Sequence, residues 1–185
     1  MLEIRHAARR GPALSAPAPD GTGVRIRVLP PEARFSLRLG AADLGTVAGF
    51  PIDLAINRHG GADGRLAARL GPDEWLLLGP EAEGDLLGGE IAAVLGDGVH
   101  ALVDIGHRNV GFAVSGPRAA DALNAGCPLD LSAETFPTGS ATRTILGKAE
   151  IVLLRLDDAP TFRVECWRSF APYVHAFLSE AALAV

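Results

Sequence analysis

The feature that most constrains the fold of this sequence is a strand, helix and turn unit that occurs twice. The later copy is the clearer one. Residues 110–114 alternate as a strand does, and 115–117 (Ser-Gly-Pro) are typical of a helix start. Gly126 is predicted to end that helix in a left-handed conformation. Residues 127–131 (Cys-Pro-Leu-Asp-Leu) then leave the helix, because proline cannot continue it.

The earlier copy begins with a strand-like segment at residues 35–39. A short helix is predicted at residues 41–48, followed by residues 49–54 (Gly-Phe-Pro-Ile-Asp-Leu). The glycine, proline, aspartate and leucine of this segment match those of residues 126–131 at a constant offset. Chance recurrence of common turn residues is the alternative explanation. The matching order of strand, helix and turn favours an internal duplication.

Hydrophobic periodicity continues each copy into further strands and a second helix. The first copy adds a hairpin at residues 65–78, a helix at 85–95 and a strand at 101–105. The second adds strands at residues 142–146, 151–156 and 162–167, and a last helix that Ser169 is predicted to cap. This order predicts an α+β fold of two ferredoxin-like (βαββαβ-type) halves, with antiparallel sheets and helices on one face.

Composition divides the chain into three regions. Residues 1–23 are rich in proline, alanine and glycine and are predicted to be a flexible arm. An arm that orders against a partner subunit through its arginines is the alternative. Residues 24–106 and 107–185 are predicted to be the two halves. Within the first, residues 57–64 are predicted to form a loop because of their glycines.

Charge and cysteine content exclude several classes of function. A net charge of -5 argues against a nucleic-acid partner, which needs concentrated lysine and arginine. Cys127 and Cys166 lack the spacing of metal ligands and are too few for a disulfide scaffold, so each is predicted to be a buried thiol. No apolar run approaches the roughly 18 residues of a membrane span. These features predict a soluble cytoplasmic protein without a membrane partner.

The sequence is poor in catalytic motifs. It contains no dinucleotide fingerprint, no metal cluster and no nucleophile elbow. Asp104 and His107 resemble an acid–base pair, but residues at a strand end more often close a turn. Asp73 and Glu74 are adjacent in a predicted hairpin, where side chains diverge. We therefore predict no catalytic, cofactor-binding or metal-binding residue in this chain.

Four residues are instead predicted to contact a partner subunit. His107 and Arg108 follow a strand, and Arg168 and Phe170 lie near the start of the last helix. A cation is unfavourable at a helix start unless it pairs with an acid elsewhere. A carboxylate of another chain would supply that pairing, and solvent exposure is the alternative.

Several segments resemble the gamma subunit of heterotetrameric sarcosine oxidase. They are residues 71–78, 103–108, 115–131 and 168–171, and the most specific are Gly-Cys-Pro-Leu-Asp-Leu and Arg-Ser-Phe-Ala. The resemblance covers roughly residues 24–183. That family is in turn similar to the folate-binding T-protein of the glycine cleavage system, whose core contains ferredoxin-like repeats.

The resemblance implies a four-chain enzyme that converts sarcosine to glycine. The enzyme passes the one-carbon unit to tetrahydrofolate and forms peroxide. The resemblance also implies alpha, beta and delta partner subunits, which hold FAD, FMN, NAD, zinc and tetrahydrofolate. This chain would then be non-catalytic.

The alternative is a stand-alone folate-binding or aminomethyl-transfer module. A pocket with a convergent carboxylate and aromatic residues would favour it, and an apolar surface patch would favour a subunit. Asp63 loosely resembles a T-protein catalytic aspartate, but the surrounding pattern is too degraded to assign it that role.

Overall fold

The computed structural model describes residue 14 and residues 23–40 and 44–185. The predicted N-terminal arm therefore lies almost wholly outside the described residues. The described strands are β1 Arg25–Val28, β2 Ala33–Leu39, β3 Thr46–Val47, β4 Phe50–Pro51, β5 Arg58–Ala62, β6 Arg65–Arg69, β7 Glu74–Gly79, β8 His100–Asp104, β9 Asn109–Ser115, β10 Ala141–Leu146, β11 Ala149–Arg155 and β12 Thr161–Trp167. The described α-helices are α1 Gly84–Leu95, α2 Ala119–Asn124 and α3 Ala171–Ala184.

Ten of these strands form two five-stranded antiparallel sheets. One sheet has the order β1-β9-β12-β11-β10, and the other has the order β5-β6-β7-β2-β8. Strands β3 and β4 form a separate small hairpin. The predicted combination of antiparallel sheets with a few helices is confirmed.

The two sheets pack face to face, with helices on their outer faces. In β7 and β11 successive side chains point to opposite faces, as strand geometry requires. Leu76 and Leu154 therefore lie in the core between the sheets. Leu77 packs outward with helix α1, and Leu153 packs outward with helix α3.

A buried ion cluster joins the inner faces of β2 and β12. Arg34 Nε donates to Glu165 Oε2 at 2.8 Å, and Arg163 Nε donates to Glu165 Oε1 at 2.9 Å. Glu32 accepts from both arginines at the solvent side of the cluster. Gly111 makes room for these groups, because a Cβ there would lie 2.6 Å from Glu165 Oε1. The cluster links the two sheets across the faces that they turn to each other.

The helix predicted at residues 41–48 is wrong over its described part. Thr46–Val47 and Phe50–Pro51 form the β3–β4 hairpin. Its turn places Ala48 and Gly49 at φ 47° and 77°, a conformation that favours a primed turn over a helix. A helix of about eight residues has too few hydrogen bonds to offset its nucleation cost, so packing against the sheet decides the structure.

Two further differences come from strand pairing. Strand β1, which was predicted to belong to the first half, pairs with β9 of the second. Its Val24 neighbour and Ile26 are buried in the second half's core. The predicted loop at residues 57–64 instead contains β5, and Asp63 and Gly64 form the turn into β6. The glycines of residues 57–64 favoured a loop in the sequence, whereas pairing with β6 makes the segment a strand.

The ends of the helices also differ from those predicted. Gly126 does not adopt a left-handed conformation. Its lack of a side chain instead admits Phe177 of α3, whose Cζ would lie 2.4 Å from a Cβ at this position. The last helix begins after a 3-10 turn at Arg168–Phe170, and Ser169 does not cap it. Close packing with α3 therefore explains Gly126 better than helix termination does.

Candidate interaction site

The four predicted interface residues lie together at one end of a sheet. Strands β9 and β12 are antiparallel neighbours, with Asn109 opposite Trp167. The start of β9 and the end of β12 therefore meet. His107 and Arg108 precede β9, whereas the 3-10 turn Arg168–Phe170 follows β12.

Hydrogen bonds hold the two segments against each other. The backbone N–H of Arg168 donates to the Arg108 carbonyl at 2.6 Å, and Arg168 Nε donates to the His107 carbonyl at 3.0 Å. Arg168 thus has a partner within this chain, which the sequence did not predict. On the other side, the Arg108 N–H donates to the Ile105 carbonyl at 3.0 Å and closes the turn after β8.

Trp167 adds an aromatic surface between the cations. The Arg108 guanidinium carbon lies 5.6 Å from the centroid of the Trp167 ring, within cation–π range. The rings of Trp167 and Phe170 lie 6.4 Å apart and are tilted. Trp167 is 43% exposed, and His107 and Arg108 are also exposed. We call His107, Arg108, Trp167, Arg168 and Phe170 the cationic-aromatic patch.

Trp167 was missing from the predicted set, although a signal for it exists. Strand β12 alternates, with Phe162, Val164 and Cys166 buried on the helix side. Trp167 therefore points to the other face, one residue before Arg168. A tryptophan at an open strand end beside an arginine is a composition that protein interfaces favour.

The other acidic candidates have structural roles. Asp104 Oδ1 accepts the Gly106 backbone N–H at 2.7 Å, which stabilises the turn after β8. Asp73 pairs with Arg38 at 2.9 Å, and Glu74 pairs with both Arg38 and Arg143. Asp63 is exposed in the β5–β6 turn. Glu74 also lines a small cavity of about 40 Å³ together with Arg143 and Trp167, where its carboxylate is already paired with arginine.

Both cysteines are buried free thiols, as predicted. Burial raises the pKa of Cys166 to about 12, which leaves it protonated and a poor nucleophile. In the described residues no group of three or more His, Cys, Asp or Glu side chains is placed to hold a metal ion. No described helix is long and apolar enough to cross a membrane.

A cavity of about 260 Å³ lies beside the segment that follows α2, lined in part by Asp130, Thr135 and Phe136. Asp130 already accepts from the Ser132 N–H at 2.9 Å and from Thr135 Oγ1 at 3.0 Å, and these bonds lower its pKa. Phe136 stacks on Phe162 of the core. The carboxylate and the aromatic ring of this cavity are thus both engaged within the protein.

The described residues define a two-sheet α+β protein whose most distinctive surface feature is a cationic-aromatic patch. The chain belongs to the sarcosine oxidase gamma subunit family, whose model matches residues 41–184. It is 34% identical over 137 residues to the sarcosine oxidase subunit gamma of Arthrobacter sp., and 32% identical over the same length to that of Corynebacterium sp. (strain P-1). Each match covers 74% of this chain and 64% of the relative's length.

Solved structures give a consistent result. A chain of the heterotetrameric sarcosine oxidase from Corynebacterium sp. U-96, in complex with pyrrole 2-carboxylate, superposes with a TM-score of 0.78 and 25% identity. That match covers 90% of this chain and 87% of the other. The glycine cleavage system aminomethyltransferase T from Bartonella henselae superposes with a TM-score of 0.66 at 14% identity, over 84% of this chain and 45% of that one. The second likeness shows a shared fold.

Proposed function

We propose that this chain is the non-catalytic gamma subunit of a flavin-dependent heterotetrameric sarcosine oxidase. The complex would convert sarcosine to glycine, transfer the one-carbon unit to tetrahydrofolate and form peroxide. The observation that carries this proposal is the superposition on a chain of a heterotetrameric sarcosine oxidase over 90% of this chain. Alpha, beta and delta subunits would be its partners, without nucleic acid or membrane.

The chemistry of the described residues supports a non-catalytic role. The Cys166 thiol is protonated, and the Asp73 and Glu74 carboxylates pair with arginines. The sequence has no nucleotide-binding fingerprint. We therefore assign FAD, FMN, NAD, zinc and tetrahydrofolate to the partner subunits. The buried free thiols Cys127 and Cys166 support a reducing compartment, the cytoplasm.

The cationic-aromatic patch is the surface that we assign to subunit contact. Arginine and tryptophan dominate the binding energy of many interfaces, because each combines a large contact area with a directed polar group. Stacking on Trp167 restricts the Arg108 side chain before a partner arrives. Less conformational entropy is then lost on binding.

The order of strands supports an internal duplication of ferredoxin-like halves. The sheet order β5-β6-β7-β2-β8 matches β10-β11-β12-β9-β1 position by position. In both, a helix (α1 or α3) follows the third strand of the order. The fifth position is taken by β8 in one sheet and by the N-terminal β1 in the other. We propose halves at residues 24–106 and 107–185, of which the first supplies strand β1 to the sheet of the second.

Co-purification tests the subunit role. The Arg108→Ala variant, expressed with the alpha, beta and delta subunits, is expected to lose most of its assembly because a desolvated interfacial charge typically contributes about 2–5 kcal/mol. Its melting temperature when purified alone should change little, since Arg108 is exposed. Arg118→Ala is the matched control: it is equally a surface arginine, half exposed, beyond the opposite end of β9. Normal assembly of both variants would contradict an interface at the patch.

The alternative function is a stand-alone folate-binding module, and the cavity beside Asp130 supports it less well than the superposition supports a subunit. The cavity volume of about 260 Å³ lies below the roughly 300–1,000 Å³ of typical ligand pockets. Calorimetric titration of the isolated chain with tetrahydrofolate separates the two proposals. Stoichiometric heat with a micromolar Kd would favour the module over the subunit.

A further inference from the structure

Strand β8 differs from the other sheet edges of this protein. Each five-stranded sheet ends in two edge strands, which are β1 and β10 in one sheet and β5 and β8 in the other. An edge strand presents main-chain N–H and C=O groups that another strand can pair with. Proteins usually block such edges by covering them or by placing charges on them.

The other three edges are partly covered or charged. Strands β5 and β10 meet at their first residues: the Ala141 N–H donates to the Asn57 carbonyl at 2.9 Å, and the His59 N–H donates to the Gly139 carbonyl at 2.8 Å. Beyond this contact, β10 carries the exposed Arg143. Strand β1 carries the exposed arginines Arg25 and Arg27. Each of these edges is therefore a poor template for another chain.

In the described part of the chain no strand pairs with the open edge of β8, and its one acidic residue, Asp104, is the last residue of the strand. The strand pairs there with β2 alone. Ala101 and Val103 lie on the face of β8 that is turned to the other sheet, but at this edge both are exposed, Val103 to 55%. Water solvates such an edge poorly, and a second strand would cover both residues.

The register shows which main-chain groups are available on β8. Just beyond the strand, the Ile105 N–H donates to the Arg34 carbonyl at 2.8 Å, so this pair is a hydrogen-bonded one. The next hydrogen-bonded positions on β8 are then Val103 and Ala101, which lie opposite Ser36 and Arg38. Antiparallel pairs alternate between bonded and non-bonded positions. The N–H and C=O groups of His100 and Leu102 therefore point away from β2.

This edge leads directly into the cationic-aromatic patch. Only Ile105 and Gly106 separate the end of β8 from His107, so the patch begins at most about 11 Å beyond the strand. A segment that pairs with β8 and continues past it would reach Arg108. An arginine held over an aromatic ring is suited to a carboxylate.

We propose that β8 accepts an extended segment of a partner polypeptide as a sixth strand of its sheet. Main-chain hydrogen bonds to His100 and Leu102 would give affinity, as in other strand-addition complexes. An apolar residue against Val103 and a carboxylate on Arg108 would give register and specificity. This inference rests on the proposed function, since the partner segment belongs to another subunit of the complex.

Hydrogen exchange measured by mass spectrometry tests the pairing directly. The outward amides of His100 and Leu102 are expected to exchange about tenfold or more slowly in the purified heterotetramer than in the isolated chain. Amides of β1, at the charged edge, should exchange alike in both samples. Equal exchange of the His100 and Leu102 amides in the two samples would overturn the proposal. So would slow exchange of these two amides in the isolated chain, or a dimer of this chain that protects β8.

A matched pair of variants gives a second readout. Val103→Lys places a charge on β8, and Ile145→Lys places the same charge on β10 at a residue of similar exposure, 48% against 55%. The first is expected to weaken assembly about tenfold or more and the second less than about twofold, with both melting temperatures nearly unchanged. A wild-type chain that fails to assemble would contradict the proposed function. Normal assembly of Val103→Lys, with fast exchange in β8, would contradict strand addition alone.

Discussion

At the scale of single residues, Glu165 is a carboxylate whose charge is removed from water. Its side chain is fully buried between Arg34 and Arg163. Burial alone would raise the pKa of this carboxyl, but the charges of Arg163 and then Arg34 outweigh burial and hold the pKa below its ordinary value of 4.5. The charge of Glu165 therefore stabilises the contact between the sheets.

Replacing Glu165 with Gln is expected to lower the free energy of unfolding by about 3–5 kcal/mol, because two buried arginines lose their counter-charge. The control is Glu150→Gln, whose carboxylate is 52% exposed in its pair with Arg143 and should contribute at most about 1 kcal/mol. Urea unfolding at pH 7 measures both. A change at Glu165 no larger than that at Glu150 would show that Glu32 alone neutralises the arginines.

The stability difference between the wild type and Glu165→Gln should also depend on pH. A carboxyl whose pKa is lowered by folding contributes stability above its unfolded pKa, and this contribution is lost as the pH falls through the folded value. The difference between wild type and Glu165→Gln should thus be constant above about pH 5.5 and shrink at lower pH. A difference that stays constant down to pH 3 would mean that the charge of Glu165 is not what stabilises the fold.

At the scale of elements, helix α1 contains a glycine without a structural reason. A Cβ at Gly89 would meet no atom within 4 Å. Gly89→Ala is therefore expected to stabilise the protein by about 0.5–1 kcal/mol through helix propensity. Gly111→Ala is the contrasting case, expected to destabilise by about 1–3 kcal/mol because its Cβ would collide with Glu165. Thermal unfolding of both variants tests the opposite signs.

The elements that were predictable from the sequence are those defined by their own periodicity. The β6–β7 hairpin, strands β10 to β12 and helix α1 match the predicted segments closely. The β3–β4 hairpin and strand β5 do not, because tertiary pairing and turn conformation override weak local preferences there. Strand β1 could not be placed, since its pairing with β9 joins residues about ninety positions apart.

The cationic-aromatic patch was predictable only in part. Local arguments selected His107, Arg108, Arg168 and Phe170, and the structure brings these four together. Their convergence depends on the antiparallel pairing of β9 with β12, which no local pattern specifies. The Arg168 hydrogen bond to the His107 carbonyl depends on the same pairing. Replacing Arg168 would therefore also remove a hydrogen bond within this chain. For that reason Arg108→Ala is the better variant for testing assembly without a change in stability.

At the scale of the whole molecule, the two sheets meet along two seams of different chemistry. The ion cluster around Glu165 joins β2 to β12, whereas the opposite seam joins the edges of β5 and β10. His59 lies on that second seam, where its Nε2 is 2.8 Å from the Arg155 carbonyl. A neutral imidazole that donates from Nε2 satisfies this contact.

Burial lowers the pKa of His59 below its ordinary value of 6.5, although the Arg155 carbonyl partly opposes this effect. The folded protein thus binds the proton less readily than the unfolded chain, and stability at this seam declines as the pH falls from above 6.5 towards the folded pKa. His59→Gln keeps a donor for the Arg155 carbonyl but cannot ionise. Its melting temperature should equal that of the wild type at pH 8 and exceed it at pH 5.5. If the melting temperatures of the wild type and His59→Gln differed by the same amount from pH 8 to pH 5.5, protonation of His59 would not destabilise the contact between β5 and β10.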